Sequence, residues 1–308
     1  MMQQTAEPRE AAQLEEIERR AVDFARKAGE ILLSHFRKPL EIEYKSDGRR
    51  DPVTQADRES EDWLRSAIAE AFPDHGIVGE ENPNSEHGSA EFVWVLDPLD
   101  GTTNFLNGLP VFATSIGVLH KGRPVVAAIF VPGPDAGSVI HARRGGGAFQ
   151  DGRPIAVTPN AEPERGRLTG MPSYYWRMWG FKDGLRMRLG EIRSLGSIAY
   201  EMALVARGSM QLCLFAQPKI WDVAAGILLI QEAGGRVLEK RARRARWSPF
   251  SVFGNESVTL DELHDWRSAI LAGSEDVAEH AGDRIHLRSR FIFRLRRWWA
   301  ERRSRRSQ

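Results

Sequence analysis

Two carboxylates three residues apart carry the first chemical signal in this chain. They lie in Trp94-Val-Leu-Asp-Pro-Leu-Asp-Gly-Thr-Thr-Asn-Phe105, which opens as an apolar strand and closes on Asp97 and Asp100. Pro98 fixes φ and holds the chain extended before the turn. Gly101 permits a turn that most side chains would obstruct. Thr102, Thr103 and Asn104 can open a short helix, whose first N–H groups would point at an anion. Carboxylates recruit hard cations and N–H groups recruit phosphate, a pairing that suits metal-assisted phosphoryl chemistry. Taken alone, an Asp-Pro-x-Asp-Gly run also suits an ordinary surface turn.

Three further segments supply acids. Gly79-Glu80-Glu81 follows the apolar pair Ile77-Val78. Trp221-Asp222-Val223-Ala224-Ala225 sets one carboxylate at the start of an apolar helix, and Asp51–Asp57 sets another at the start of a second helix. Aspartate at a helix start also serves as a cap, so Asp57 and Asp222 each carry that second reading.

Together these segments resemble the inositol monophosphatase family of magnesium-dependent phosphomonoesterases. The resemblance covers roughly residues 10–275, with Trp94–Phe105 and Trp221–Ala225 as its two signatures and support from Asp51–Asp57, Gly79–Glu81 and Glu232-Ala-Gly-Gly235. It implies an α+β fold, a layered α-β-α-β-α sandwich of the inositol monophosphatase and sugar phosphatase type. It also implies a ligand set. Glu80, Asp97 and the main-chain carbonyl of Leu99 match the first metal's ligands. Asp97, Asp100 and Asp222 match the second's, and a third, weaker ion would share Glu80. Thr102 with Asp57 matches the pair that activates water, with Glu80 beside them. The N–H groups of Gly101 and Thr102 would hold phosphate, and Gly196-Ser197 matches the loop lining the polyol.

Elementary electrostatics agrees with that implication. Glu80, Asp97, Asp100 and Asp222 would bring four negative charges into one cleft, and a phosphate monoester adds almost two more. Two or three Mg²⁺ ions reverse the sign of such a site and accept oxygen ligands. No covalent intermediate is needed, so the single cysteine, Cys213, reads as a strand core residue.

Substrate choice is less legible. Thr103-Asn104-Phe105 resembles the inositol-monophosphate branch, whereas nucleotide 3′-phosphatases and many histidinol-phosphatase-like members carry a basic residue directly after the signature threonine. Inositol-cleaving members usually place a Glu seven residues before the second-signature Asp; here that position is Phe215. Either another group accepts the substrate hydroxyls or the leaving group is not inositol. Lys219 stands near the expected pocket rim and could pair a second anionic group, or be a solvated surface lysine. The alternatives are a phosphatase for fructose 1,6-bisphosphate, histidinol phosphate or a 3′-phosphonucleotide, and a non-catalytic protein that binds a membrane or partner.

Several elements must position these residues. Apolar spacing predicts helices over 10–36 and 57–71, the second stopped by Pro73. Strands are expected at Phe92–Leu96, Ser115–Leu119, Val125–Val131 and Ser138–Ala142, with a hairpin turn at Asp151-Gly152. Further on, Ser197–Ala206 and Ala224–Ala233 read as helices, and Met210–Leu214 and Val237-Leu238 as strands. Gly145-Gly146-Gly147 fits a hairpin turn better than a nucleotide loop. Tyr174, Tyr175, Trp176 and Trp179 read as a surface cluster near the cleft. His75, His87, His120 and His141 show no metal-ligand spacing. The expected organisation is an N-terminal α+β subdomain over 10–155 with most metal ligands, a C-terminal α/β subdomain over 156–275 supplying Asp222, and a basic tail over 276–308. Nothing past about residue 275 resembles a core element before the Arg/Trp-rich end.

Composition sets the outer bounds. The 308 residues are 42% hydrophobic and 28% charged, which is globular and not disordered. Met1–Arg20 is polar, no apolar run approaches a membrane span of roughly 20 residues, and one cysteine excludes a disulfide scaffold. A reduced cytoplasmic setting is expected. The net charge of +1 hides an asymmetry, since 284–306 holds ten arginines against Glu301 alone. That segment carries +9, leaving about −8 for residues 1–283. An acidic body argues against nucleic acid as the main ligand. Phe291, Leu295, Trp298 and Trp299 share one helical face opposite arginines, which suits an anionic membrane interface, an acidic partner or a charged disordered extension. A homodimer is implied only by the family resemblance.

Overall fold

In the computed structural model the described residues are 6–39, 42–44, 52–82, 90–242 and 245–288. The fold is organised around the strand Phe92–Asp100, which is buried on both faces along almost its whole length. Its side chains alternate across the sheet with period two. Phe92, Trp94 and Leu96 join a core with Leu14, Ile17, Phe24, Leu64 and Ile68. Those partners come from the helices Ala6–His35 and Gln55–Ala71, whose apolar faces cover the outer side of the sheet. Val93 and Val95 face the opposite way, into a second core. The same alternation sends Asp97 to that inner face.

The strand belongs to a seven-stranded sheet built as an antiparallel meander from Phe92 to Pro154, with Gly76–Gly79 added in parallel at one edge. The expected hairpin turn at Asp151-Gly152 is present, with φ of 47° and 77°. The triglycine segment is a turn as well, and its Gly145 and Gly147 N–H groups donate to the carboxylate of Glu232 at 2.9 and 3.0 Å.

A second sheet of six strands lies beyond two inner helices, Ile198–Ala206 and Ile220–Glu232. These helices pack on both sheets, and the helix Glu275–Arg284 covers the far side of the second. The result is five layers, α-β-α-β-α, with mixed sheets. The inner helices are apolar nearly all round because both of their sides are covered.

Helix Glu275–Arg284 corrects the expectation that nothing past residue 275 is core. Val277, Ala278 and Ala281 are fully buried, and Ile285–Leu287 pairs antiparallel with Trp179–Phe181. The small buried residues are outnumbered by charges on the exposed face, which hid the helix from an apolar count. The expected tail therefore begins inside the folded body. The face formed by Phe291, Leu295, Trp298 and Trp299 lies outside the described residues, as do Asp51 and His87.

One close approach sets the height of the inner helix over the first sheet. A Cβ on Gly117 would sit 2.9 Å from Ala224 Cβ and 3.0 Å from Ala225 N. Gly117 pairs with Val95, and Ser115 Oγ donates to the Trp221 carbonyl at 3.1 Å. The glycine thus lets Asp222 approach Asp97. A Gly117→Ala chain is expected to lose about 1–3 kcal/mol from this overpacking. Urea unfolding checks it: the midpoint should fall at unchanged m, and an unmoved midpoint would contradict the packing argument.

Candidate active site

The cleft lies where the inner helices meet the end of strand Phe92–Asp100. It has a volume of about 440 Å³, and its walls include Asp100, Gly196, Ser197, Glu201, Phe215 and Asp222. Each acid reaches it through a local device. At Asp97–Asp100 the strand register slips, and Asp97 Oδ1 accepts the Leu99 N–H at 3.1 Å. Gly101 then adopts φ 97°, a left-handed conformation that favours glycine, and opens the short helix Thr102–Leu106. Asp100 Oδ2 accepts Ser197 Oγ at 2.7 Å and the Ala199 N–H at 2.6 Å. Ser197 caps its own helix through Tyr200 N, so its capping and cleft-lining roles coexist. Asn104 Nδ2 donates to the Val111 and Leu195 carbonyls at 2.7 and 2.6 Å, which binds the Asp-Gly-Thr turn to the Gly196-Ser197 loop.

Asp222 sits in the first turn of Ile220–Glu232, where its Oδ2 accepts the Lys219 N–H at 2.7 Å. Asp57 is at N3 of a capping box. Its Oδ2 accepts Thr54 N at 2.8 Å and Thr54 Oγ1 at 2.5 Å, while its Oδ1 faces Thr102 Oγ1 at 3.3 Å. Thr102 Oγ1 also reaches the Leu99 carbonyl at 3.1 Å. Capping and a link to the signature segment are therefore both properties of Asp57.

These carboxylates perturb one another. Burial pushes Asp97 well above the usual carboxylate range, and the charges of Glu80, Asp100, Asp222 and Asp57 push it further. Burial raises Asp100 to about 7 against the lowering bonds from Ser197 and Ala199. Asp222 is raised by burial, then by Asp100 and Glu80. Asp57 is raised to about 6 by burial, with the Thr54 bonds opposing. Among the described residues, no lysine or arginine forms an ion pair with Asp57, Asp97, Asp100 or Asp222.

An excess of buried negative charge with oxygen-only donors fits Mg²⁺ in its chemistry. The oxygens are not drawn into a closed cage: among the described residues, no three His, Cys, Asp or Glu side chains are grouped tightly enough to hold an ion by themselves.

Two positioning groups escaped the sequence reading. Glu61, fully buried, accepts Arg65 Nε at 2.8 Å and the N–H groups of Glu81 and Asn82 at 2.8 and 3.1 Å, which fixes the segment carrying Glu80. Their spacing of four on a helix was the available signal. The other is Glu201, whose Oε1 accepts the Leu195 N–H at 2.8 Å, while among the described residues its buried Oε2 has no partner at hydrogen-bond geometry, the Gly196 N–H lying near the carboxylate. Other expectations are redrawn. Lys219 lies over the Trp221 ring at 5.3 Å and is not among the cleft-lining residues. Of the aromatic cluster, Tyr174 lines the cleft and Trp176 is exposed, but Trp179 is fully buried and stacked on Trp247. His75 accepts the Trp94 indole N–H at 3.0 Å, and Cys213 is buried in its strand.

Glu201 makes a pH prediction. Burial, then the Asp100 charge, raises it from 4.5 to about 7. Folded chains hold this proton between those values while unfolded chains release it. Its stabilising contribution is complete below about pH 4.5 and is lost as pH rises through about 7, a span of about 3 kcal/mol. In Glu201→Gln that loss is absent. Unfolding free energies at pH 5 and pH 8 should diverge less in the variant, and equal divergence would contradict the assignment.

The layered sandwich with its acid-lined cleft defines a class of phosphoric monoester hydrolases. Residues 13–269 match the profile of the inositol monophosphatase family. The chain belongs to that family. It is 38% identical over 243 residues to the chloroplastic phosphatase IMPL1 of Arabidopsis thaliana, covering 75% of this chain and 63% of that relative. It is 37% identical over 250 residues to an inositol-1-monophosphatase of Mesorhizobium japonicum, covering 77% and 91%. Its fold superposes on the crystal structure of the extragenic suppressor protein suhB from Bartonella henselae with a TM-score of 0.69 at 28% identity, covering 87% and 97%. No helix among the described residues is long and apolar enough to cross a membrane.

Proposed function

We propose that this chain is a Mg²⁺-dependent phosphomonoesterase acting on a small polyol or sugar phosphate. The observation that carries the reading is the cluster of Asp97, Asp100 and Asp222, with Glu80 and Asp57 near enough to raise its members and, among the described residues, no lysine or arginine ion-paired with those three aspartates. Such a cleft would repel a phosphate monoester unless divalent cations reverse its sign. The residues that would hold them are Glu80, Asp97, the Leu99 carbonyl, Asp100 and Asp222. Bound Mg²⁺ would supply Lewis acidity at the phosphoryl group.

The chain's own groups do the rest. Thr102 Oγ1 orients a water, and Asp57 Oδ1, 3.3 Å away, takes the proton. Asp57, raised to about 6, is basic enough to accept that proton and ionised at neutral pH. The N–H groups of Gly101 and Thr102 hold phosphate oxygens. Gly196 and Ser197 flank the leaving group. No nucleophilic side chain is required, because water attacks in line.

Leaving-group choice follows from the wall. Phe215 presents a buried ring where polyol-cleaving members are expected to carry a carboxylate, while Glu201 brings a carboxylate to the same cleft. A polyol or sugar can use both, its C–H face against the ring and its hydroxyls at the polar rim. The test is phosphate release, with Mg²⁺, from inositol 1-phosphate, glycerol 2-phosphate, fructose 1,6-bisphosphate, histidinol phosphate and 3′-phosphoadenosine 5′-phosphate. Polyol and sugar phosphates are expected to lead. The highest kcat/KM on the nucleotide would overturn the substrate class.

A further inference from the structure

Beside the acidic cleft lies a cavity of opposite sign. It measures about 420 Å³, and Arg177, Lys240, Arg241 and Arg288 are among its lining residues, with no carboxylate among the described residues that line it. Met178, Ala216 and Gln217 line both this cavity and the catalytic cleft, so the two share a wall. The concentration of positive charge is notable in a body that carries about −8 over residues 1–283.

The fold builds this cavity from three directions. Arg177 comes from the short helix Tyr175–Met178. Lys240 ends the strand Gly235–Lys240, with Arg241 following. Arg288 is brought in by the strand Ile285–Leu287, and its N–H donates to the Met178 carbonyl at 2.8 Å. That strand is part of the segment expected to be tail, so the cavity exists only because the segment is folded.

Lys240 is the informative member. It is 9% exposed, and its Nζ donates to the Ala245 carbonyl. Among the described residues no carboxylate stands within ion-pair distance of it, and burial lowers its pKa. The Lys240 stem is buried and its Nζ lies over the Trp247 ring at 6.0 Å, so the ammonium is held at the cavity wall, where an anion in the cavity would add the charge partner that the carbonyl and the ring do not supply. Arg241 shares its charge with Glu239 at 2.9 Å, and Glu239 is not part of the lining. His286 reports the local field: burial lowers its pKa, and Lys182, Arg288 and Lys240 lower it further.

We propose that this cavity is a second anion site, distinct from the catalytic cleft, that binds a small phosphorylated metabolite. A volume of about 420 Å³ exceeds what a bare phosphate fills and matches a ligand of sugar-phosphate size. Arginine forks suit phosphate oxygens, and a cavity lined by one sign of charge concentrates anions. The inference does not rest on the phosphatase reading.

The probe is the methylene phosphonate analogue of glucose 6-phosphate, which has carbon in place of the ester oxygen and resists hydrolysis. Calorimetric titration of the full-length chain with Mg²⁺ is expected to show a site that persists in Asp97→Asn. The same site should weaken at least about tenfold in Arg177→Gln/Arg241→Gln and less in Arg177→Lys/Arg241→Lys, which keeps the charge and loses the fork. It should be unchanged in Arg302→Gln/Arg303→Gln, which alters the basic end alone. If phosphatase activity proves absent, this site should still be measured. The inference is overturned if there is no saturable binding, if all binding is lost with Asp97→Asn, if the double glutamine variant binds normally, or if the Arg302/Arg303 variant loses the site equally.

Discussion

Replacing Asp97 by Asn is expected to reduce phosphate release about a thousandfold or more while leaving the chain folded. Asp97 is fully buried on the inner face of its strand and feels the charges of Glu80, Asp100, Asp222 and Asp57. Its carboxylate interacts with all four of these acids, so its loss removes a negative charge from the middle of the cluster that would hold a cation. Several kcal/mol of transition-state charge stabilisation corresponds to about three powers of ten in rate. Asparagine keeps an Oδ1 to accept the Leu99 N–H, so the turn is retained. Two readouts separate this from misfolding. Without Mg²⁺ the variant should melt no lower than the parent, since a buried repulsion is relieved. With Mg²⁺ the parent's Tm should rise by more than the variant's, because only a bound ion stabilises by mass action. A variant that melts far lower in both conditions would mean that Asp97 is structural.

Thr102→Ala is expected to lower kcat by about 10²- to 10⁴-fold with little change in KM. Thr102 Oγ1 lies between Asp57 Oδ1 and the Leu99 carbonyl, where the proposed mechanism aligns the water. Asp57→Asn should cost a similar factor, because the proton then has no acceptor. The double variant should be little worse than either single one, since the two act as a unit. Fully multiplicative losses would show that Asp57 acts through its bonds to Thr54, as a helix cap alone.

The segments that carry the proposed site were legible as local structure because their signals are local. The apolar run ahead of Asp97 marked a strand, Gly101 marked the turn, and Asp222 stood at the start of an apolar helix. What escaped depends on contacts distant in sequence. Glu61 reads as one more charge on an amphipathic helix until its bonds to Glu81 and Asn82 are seen. Glu201 lies inside an apolar helix, and only its bond to Leu195 shows that it faces the cleft loop. The helix Glu275–Arg284 buries only small residues, so its composition looks solvated. The basic cavity was invisible because Arg177, Lys240 and Arg288 are separated by long stretches of chain and meet only when Ile285–Leu287 pairs with Trp179–Phe181.

The central claim is that a carboxylate cluster becomes a phosphatase site by taking up divalent cations. The most direct measurement follows phosphate release from the best substrate as Mg²⁺ is titrated into chain stripped with EDTA. Release should be absent in EDTA and return along a saturable Mg²⁺ curve, with a parallel rise in Tm. Release that persists undiminished in EDTA would contradict the account, because the acidic cleft would then be handling a phosphate monoester without the cations its charge demands.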